Sequence, residues 1–209
     1  MSGKLIGEQI EYEEKKNNDE NTSFNSEDSF NSENSNTNAE EYNLEFENEK
    51  IKEREKMIKS ISYILSEMIN INKTNTKNTN NNTKNDIFNP KKIPNISIQD
   101  YLIRIIEYTN IEENTLICAL IYIDSISNKK KITISNIYKI LFSAVLISIK
   151  FNEDEIYPNN FYAKIAGVPN EELLQMEHEF LILINFNLLI DEKKYSSLKF
   201  AIENLNKIM

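Results

Sequence analysis

Residues 150–186 read KFNEDEIYPNNFYAKIAGVPNEELLQMEHEFLILINF and decide the fold. Lys150 ends one long apolar run, an acidic loop and a short helical segment follow, and a second apolar helix carries Glu177. The run that Lys150 ends is apolar around nearly its whole circumference, and the later helix has a buried apolar side. A helical core needs neither charged residue, whereas an all-α module that grips the backbone of a partner would use such a pair.

The composition argues against several function classes. A net charge of −9 disfavours binding to nucleic acid, which would require a basic patch. One cysteine, Cys118, and one histidine, His178, leave no disulfide framework and no Cys-based or His-pair metal site. Only three glycines occur, and none forms a phosphate-cradling loop. We therefore expect no catalytic residues, no cofactor and no metal, and we expect that the chain is not an enzyme.

The sequence also bears on the compartment. The N-terminal residues lack the apolar core and cleavage site of a signal peptide, and no stretch reaches the roughly 18 apolar residues of a membrane span. We therefore expect a cytoplasmic or nuclear protein that does not bind membranes.

Four segments differ in composition. Residues 1–45 are rich in Asn, Ser and Glu and are predicted to be disordered, because they bury too little apolar surface. Residues 46–71 form an amphipathic helix that must pack on another element. Residues 72–92 are an Asn-rich low-complexity insert, interpreted as a solvent loop. Residues 93–209 hold the folded box and a C-terminal helix.

Apolar periodicity predicts an all-α fold with one central helix. The run over residues 133–151 is apolar around nearly all of its circumference, so other helices must surround it. Its β-branched content would also suit a strand, but buried strands rarely pass about eight residues. Helices are predicted over residues 47–70, 97–108, 110–126, 133–151, 159–166, 170–184 and 192–207.

Several helix ends carry their own signals. Ser97 with Asp100 three residues later forms a capping box. Asn110 with Glu113 repeats that spacing and is interpreted as the start of the next helix. Asn170 is predicted to cap the helix that carries Glu177, and Gly167 suits the end of the short helix before it.

Five segments resemble the successive signatures of the Pho80-like cyclins, also called P-type or U-type cyclins. They are SIQDYLIRI, ALIYIDSI, AVLISIKF, NNFYAKIAG and LLQMEHEFLILINFNL, which begin at residues 97, 119, 144, 159 and 173. The resemblance covers about residues 93–191, and the helix before them is similar to the extra N-terminal helix of that family. It implies a single five-helix cyclin box with an extra N-terminal helix and a short C-terminal helix.

The resemblance implies a non-catalytic subunit that binds and activates a cyclin-dependent kinase as a heterodimer. Lys150 and Glu177 fall on the family's lysine and glutamate, which hydrogen-bond the backbone near the kinase C-helix and hold that helix inward. Asp154 falls where these cyclins place an acid that faces arginines of the kinase activation segment. Phe151 and Tyr162 are predicted to be apolar kinase contacts.

Two expectations concern the interior and the extent of the box. Arg104 and Asp124 are predicted to form an inward structural pair, since YID is a cyclin hallmark and a buried acid needs a partner. Only about twenty residues follow the fifth box helix, so the second cyclin repeat is expected to be missing. A scaffold that binds a transcription or signalling protein without activating a kinase remains the alternative function.

Overall fold

The computed structural model describes residues 33–74 and 86–208, with the side chains of the first helix described at residue 46 and from residue 48 onward. The fold below is that of the compact unit Phe46–Met209. The helices are α1 Glu33–Thr74, α2 Ile98–Thr109, α3 Glu113–Ile126, α4 Ile137–Asn152, α5 Asn159–Ala166, α6 Asn170–Leu183 and α7 Glu192–Ile208. Within the described ranges the regular structure is helical, which confirms the all-α prediction.

Helix α4 is the centre of the domain. Every side chain from Ile137 to Ile149 except that of Lys139 is buried, and the helix packs against α2, α3, α5 and α6. Fully burying one aliphatic or aromatic side chain contributes about 1.5–3 kcal/mol, so this apolar helix is stable only inside such a ring. Helix α4 becomes exposed at its C-terminal end, at Phe151 and Asn152, and Lys150 lies directly before them.

Two of the predicted helix ends have the expected geometry. The Ser97 hydroxyl accepts a hydrogen bond from the Asp100 amide at 3.0 Å and donates to the Asp100 carboxylate at 2.7 Å. This confirms Ser97 as the N-cap of α2, while the Asp100 carboxylate is bonded to the Ser97 hydroxyl rather than to the Ser97 backbone amide of a full capping box. Gly167 ends α5 with φ +73°, a left-handed conformation that glycine adopts without a steric cost.

Three predicted helix starts are wrong. Asn110 adopts φ 45° and ends α2, because asparagine tolerates the left-handed region, and α3 begins at Glu113. Helix α4 begins at Ile137, since a turn in which the Asn136 side chain accepts from the Thr133 amide precedes it. Pro169 is the N-cap of α6, and Asn170 is its first helical residue.

Helix α1 docks through one apolar stripe. Its buried members are Met57, Ile58, Ile61, Leu65 and Ile69. Hydrogen bonds fix the register at three points: Arg54 donates to the Ile111 carbonyl, Ser60 to the Asn206 side chain, and Asn72 to the Ile132 carbonyl. The helix begins at Glu33 rather than near residue 47, because the predicted start marks only where apolar contact begins. Residues 1–32, to which most of the predicted disordered tail belongs, lie outside the described residues.

The end of the Asn-rich insert is an anchor and not a solvent loop, which corrects the interpretation of residues 72–92 as far as residues 86–92 are described. Phe88 is 2 % exposed and meets the Phe180 ring edge-on at 6.4 Å. The Lys130 ammonium lies 5.0 Å from the Phe88 ring and pairs with Asp86. Lys139 donates to the Ile87 carbonyl at 2.7 Å. The anchor was not predicted from the sequence because most residues around Phe88 are polar.

Candidate functional site

The Lys150 ammonium contacts both carboxylate oxygens of Glu177, at 2.7 and 2.8 Å. The two side chains are 26 % and 16 % exposed, so the pair lies at the surface but is largely shielded from water. The pair joins the last turn of α4 to the middle of α6. A lysine in the last turn of a helix is also favoured by the helix dipole.

Buried neighbours hold each partner of the pair in place. Ile149, next to Lys150, is buried in the core, and so are Met176 and Phe180 on the inner side of α6. Because α4 and α6 pack directly against each other, these buried residues fix the separation of the two helices. The ion pair is therefore a feature of the packed helices rather than of two mobile side chains.

Exposed or half-buried apolar residues lie near the pair on both helices. Phe151, the residue after Lys150, is 47 % exposed. Leu174 and Leu181 lie three residues before and four after Glu177 on α6, which places both on the same side of the helix as the glutamate. Leu174 is exposed and Leu181 is half-buried. Exposed apolar side chains near a largely shielded ion pair distinguish this surface from a fully solvated helix face.

The acidic loop after α4 is held at both ends. The Glu153 carboxylate accepts hydrogen bonds from the Thr115 hydroxyl and from the Glu112 amide, at the start of α3. At the other end, the Tyr157 amide donates to the Tyr162 hydroxyl oxygen at 3.2 Å. Asp154 lies between these fixed points and is exposed, so the fold presents its carboxylate outward.

Tyr162 is 1 % exposed, which is at odds with its predicted contact with a kinase. Burial raises the pKa of its phenol, and its ring packs edge-on against Tyr157 and Phe161 at 6.4 and 5.7 Å. The residue supports the loop and the short helix α5. Its sequence position, in the middle of an eight-residue helix, did not show which face it occupies.

The predicted inward pair of Arg104 and Asp124 is wrong. Both residues are exposed, and each has a different partner. Arg104 donates to the Lys164 carbonyl at 3.2 Å, and Asp124 lies 3.3 Å from the Lys194 ammonium on α7. A water-facing acid needs no buried partner, so the argument that paired these residues does not apply.

Sequence reasoning missed the apolar residues Ile156, Tyr157 and Phe161 beside the loop. Ile156 and Tyr157 are exposed, and the ring centroids of Tyr157 and Phe161 lie 4.5 Å apart with the ring planes tilted by 36°. The available signal was the aromatic and aliphatic content of IYPNNFY in an otherwise polar connection. Exposed apolar side chains that adjoin one another commonly mark an interaction surface.

None of the helices in residues 33–74 and 86–208 is both long and apolar enough to cross a membrane. Over the same ranges, no group of three or more His, Cys, Asp or Glu side chains is arranged to hold a metal ion.

The family model described as Cyclin matches residues 9–188. The chain belongs to the cyclin family. The match extends well beyond the region of the resemblance at its N-terminal end, and it includes Lys150, Glu177 and the whole of α2 to α6.

The relatives of this cyclin are the U-type and Pho85-type cyclins that the resemblance indicated. The PHO85 cyclin-like protein psl1 of Schizosaccharomyces pombe is 32% identical over 169 residues, which cover 74% of this chain and 68% of psl1. Cyclin-U2-1 of Arabidopsis thaliana is 32% identical over 117 residues, covering 54% of this chain and 53% of the relative. PHO85 cyclin-7 of Saccharomyces cerevisiae is 29% identical over 176 residues, covering 72% and 62%. The chain spans about half the length of the Arabidopsis relatives it matches first.

Proposed function

We propose that this cyclin is the non-catalytic regulatory subunit of a cyclin-dependent kinase, which it binds as a heterodimer and activates. The Lys150–Glu177 pair within exposed apolar surface carries the proposal. Two relatives are named as PHO85 cyclins or as similar to them, which supports a kinase partner of that class. We propose the cytoplasm or nucleus as its compartment.

The chemistry of the pair suits a partner's backbone. An ammonium has three N–H donors, and the contacts with the two oxygens of Glu177 leave donor capacity on Lys150. The carboxylate of Glu177 has about four acceptor sites, so it also retains free lone pairs. Lys150 can therefore donate to a carbonyl of the kinase while Glu177 accepts from an amide.

The kinase segment gripped in this way would be the backbone near the C-helix. Holding that helix inward sets the kinase's own lysine–glutamate pair, which orients the phosphates of ATP. The apolar residues around Lys150 and Glu177 would exclude water when the kinase docks, which strengthens the charged hydrogen bonds. Activation then follows from fixing one helix of the partner, without any catalytic group on this chain.

The free energies of folding and of binding distinguish a kinase-binding role of the pair from a purely structural role. A surface ion pair contributes about 0–1 kcal/mol to folding. Removing one partner of a desolvated, hydrogen-bonded charge pair at an interface costs about 2–5 kcal/mol of binding. The proposal therefore predicts a large loss of kinase affinity with a small loss of stability.

The test compares Lys150→Ala and Glu177→Ala with a matched pair of substitutions. Asp124→Ala and Lys194→Ala remove a surface ion pair of the same type between α3 and α7. Affinity for the kinase that wild type recovers from native lysate is measured for each variant, together with its free energy of unfolding. We expect a loss of about 30-fold or more at Lys150 or Glu177 and under about threefold at the control pair.

Two results would contradict the proposal. Unchanged affinity in Lys150→Ala with Glu177→Ala would remove the site assignment. Kinase binding without any rise in phosphotransfer, or recovery of a different protein and no kinase, would instead support a scaffold that does not activate a kinase.

A further inference from the structure

The exposed residues 154–156 of the loop after α4 lie between two side-chain hydrogen bonds to the interior of the fold. Glu153, before them, accepts from the Thr115 hydroxyl, and the amide of Tyr157, after them, donates to the Tyr162 hydroxyl oxygen. Thr115 and Tyr162 are each 1 % exposed. Fixing both ends of so short a segment leaves it few conformations, since each residue has only two soft backbone dihedral angles.

Thr115 fixes the first end of the loop to the start of α3. Its hydroxyl donates to the Glu153 carboxylate, and its carbonyl accepts from the Ser148 hydroxyl at 2.7 Å. Thr115 and Ser148 are both buried. A buried polar network whose members are all bonded specifies one geometry, because any other arrangement leaves a polar group unpaired. The loop therefore leaves α4 from a fixed point.

The position of the Glu153 carboxylate is set by α3 rather than by α4. Glu153 is the C-cap residue of α4, where the helix dipole disfavours a negative charge. The N-terminus of α3 favours that charge, and its N-cap residue, Glu112, makes no side-chain capping hydrogen bond. The Glu112 amide instead donates to Glu153 at 3.2 Å. This bond and the one from Thr115 fix the direction in which the loop begins.

Tyr162 fixes the second end of the loop to α5. Its hydroxyl oxygen accepts from the Tyr157 amide at 3.2 Å, and its ring packs edge-on against Phe161. Because the ring is buried, the hydroxyl moves only with α5. A phenylalanine would fill the same space but could not accept the hydrogen bond. The hydroxyl is therefore the part of this side chain on which the loop depends.

We infer that Thr115 and Tyr162 are positioning residues, whose hydroxyls hold the exposed Asp154 carboxylate in the direction in which it meets arginines of the kinase activation segment. For one point, the role of Asp154 toward the kinase, this rests on the proposed function. A carboxylate binds a guanidinium best through two parallel hydrogen bonds, which depend on the direction of the side chain. A loop that is ordered before the kinase binds also avoids the entropy cost of ordering on binding.

Lys150 should not depend on the two hydroxyls. Its turn of α4 is held by the buried residues Ile147 and Ile149, and its ammonium is held by Glu177. In contrast, no side chain of residues 153–157 is buried, so the hydrogen bonds at its ends are what fix the loop. Loss of the hydroxyls should therefore impair the action of Asp154 and spare the kinase affinity that Lys150 provides.

Two double variants isolate the hydroxyls of the loop. Thr115→Val with Tyr162→Phe removes both and nearly preserves the shapes of the side chains. Thr109→Val with Tyr138→Phe is the matched control, because its hydroxyls donate to carbonyls of α2 and of the segment before it and not to the loop. Thr115→Ser keeps the hydroxyl and should behave as wild type at the loop.

The first measurement uses the full chain without a kinase. Nitrogen-15 relaxation gives the backbone order parameters of residues 154–156. We expect values above about 0.8 in wild type and in the control variant, and below about 0.6 in the Thr115→Val, Tyr162→Phe variant. Values that stay at the wild-type level in that variant would overturn the inference. Tyr162→Phe alone, which frees one end of the loop, provides the same test if the double variant does not fold.

The second measurement is the ratio of phosphotransfer rates with unphosphorylated and phosphorylated kinase. We expect the Thr115→Val, Tyr162→Phe variant to lower this ratio about fivefold, as Asp154→Asn does, and to bind phosphorylated kinase within about twofold of wild type. Adding Asp154→Asn should cause no further loss, because both changes act through the same carboxylate. An unchanged ratio, or losses that add, would overturn the inference.

A failure of the proposed function would give a different pattern. If Asp154→Asn itself leaves the ratio unchanged, the role of Asp154 is contradicted, and if wild type activates no kinase, the proposed function is contradicted. In both cases the order parameters still decide whether the Thr115 and Tyr162 hydroxyls hold the loop.

Discussion

Lys150 and Glu177 contact each other within one chain, and buried neighbours hold both. Two long side chains normally lose rotamer freedom when they bind a partner, at a cost of about 0.5–1.5 kcal/mol each. Because the ion pair already restricts both side chains, most of this entropy is lost when the chain folds and not when the partner binds. The pair thus combines free hydrogen-bonding capacity with a fixed geometry.

Asp154→Asn tests the residue that the loop presents outward. We expect the variant to activate a kinase normally when its activation segment is phosphorylated and several-fold less when it is not, since the carboxylate supplies charge that a phosphate otherwise provides. Phosphotransfer rates with phosphorylated and unphosphorylated kinase give the answer. Glu171→Gln, at an exposed acid on α6, is the matched control. Equal activity of the Asn variant with both kinase forms would contradict the proposal that Asp154 replaces the charge of a phosphate.

Gly167→Ala tests the end of α5. The residue has φ +73°, and a Cβ there would meet no atom within 4 Å, so the cost is conformational only. We expect a loss of about 1–2 kcal/mol in the free energy of unfolding, measured with urea. Gly167→Asn is the control and should lose clearly less, because asparagine tolerates the left-handed region. Equal losses in the two variants would contradict left-handed strain as the cause.

At the scale of single residues, the sequence predicted a local helix cap correctly but did not predict which distant residues contact each other. Ser97 caps α2 as its spacing indicated, because an N-cap hydrogen bond involves only neighbours in the sequence. Asn110 was assigned to the wrong helix, since asparagine suits both an N-cap and a left-handed helix end. Arg104 and Asp124 were paired without knowledge of their exposure, which depends on the packing of other elements.

At the scale of elements, Phe88→Ala tests the anchor that follows the Asn-rich insert. The variant removes a fully buried ring that contacts Phe180, and the cavity it leaves should cost about 3–5 kcal/mol. Urea denaturation measures the loss. Ile93→Ala, at an exposed residue a few positions later, should cost under about 1 kcal/mol. A small loss for Phe88→Ala would mean that the anchor contributes little to the fold.

The helices themselves were predictable where apolar periodicity is strong. Helix α4 was placed at the centre because its apolar residues cover every side. The start of α1 and the anchor at Phe88 were both missed because neither shows an apolar pattern in the sequence. The first helical residues of α1 carry no apolar stripe, and the single phenylalanine of the anchor is enclosed by residues typical of loops.

At the scale of the whole molecule, buried tyrosines make the fold sensitive to alkali. Burial raises the pKa of Tyr122 to about 12, and it also raises those of Tyr101 and Tyr162. A raised folded-state pKa means that the stabilisation is complete below the unfolded value of 10 and is lost as the pH rises toward 12. We expect the free energy of unfolding to fall across that window.

Tyr122→Phe checks this dependence. At neutral pH the variant should lose about 1 kcal/mol, because the Tyr122 hydroxyl donates to the Leu188 carbonyl at 2.8 Å. Between pH 10 and 12 its stability should fall less steeply than that of wild type, since one titrating group has been removed. Urea unfolding at several pH values measures both effects. Parallel pH profiles for the two proteins would contradict the assignment.

The architecture as a whole followed from the sequence because local signals and the family resemblance agreed. The sequence predicted that Lys150 lies at a helix end and that Glu177 lies on the next long helix. Their contact and the fixed loop beside them were not predicted, since each depends on how distant elements pack. Those features are the ones that distinguish a binding surface from an ordinary helical face.

The most direct measurement of the central claim compares kinase activation by wild type and by Lys150→Glu with Glu177→Lys. The exchange preserves an ion pair between α4 and α6 but reverses the donor and acceptor presented to the kinase backbone. We predict an unfolding free energy within about 1 kcal/mol of wild type and a loss of at least about 30-fold in kinase binding and activation. A folded variant that activates the kinase as well as wild type would contradict the account.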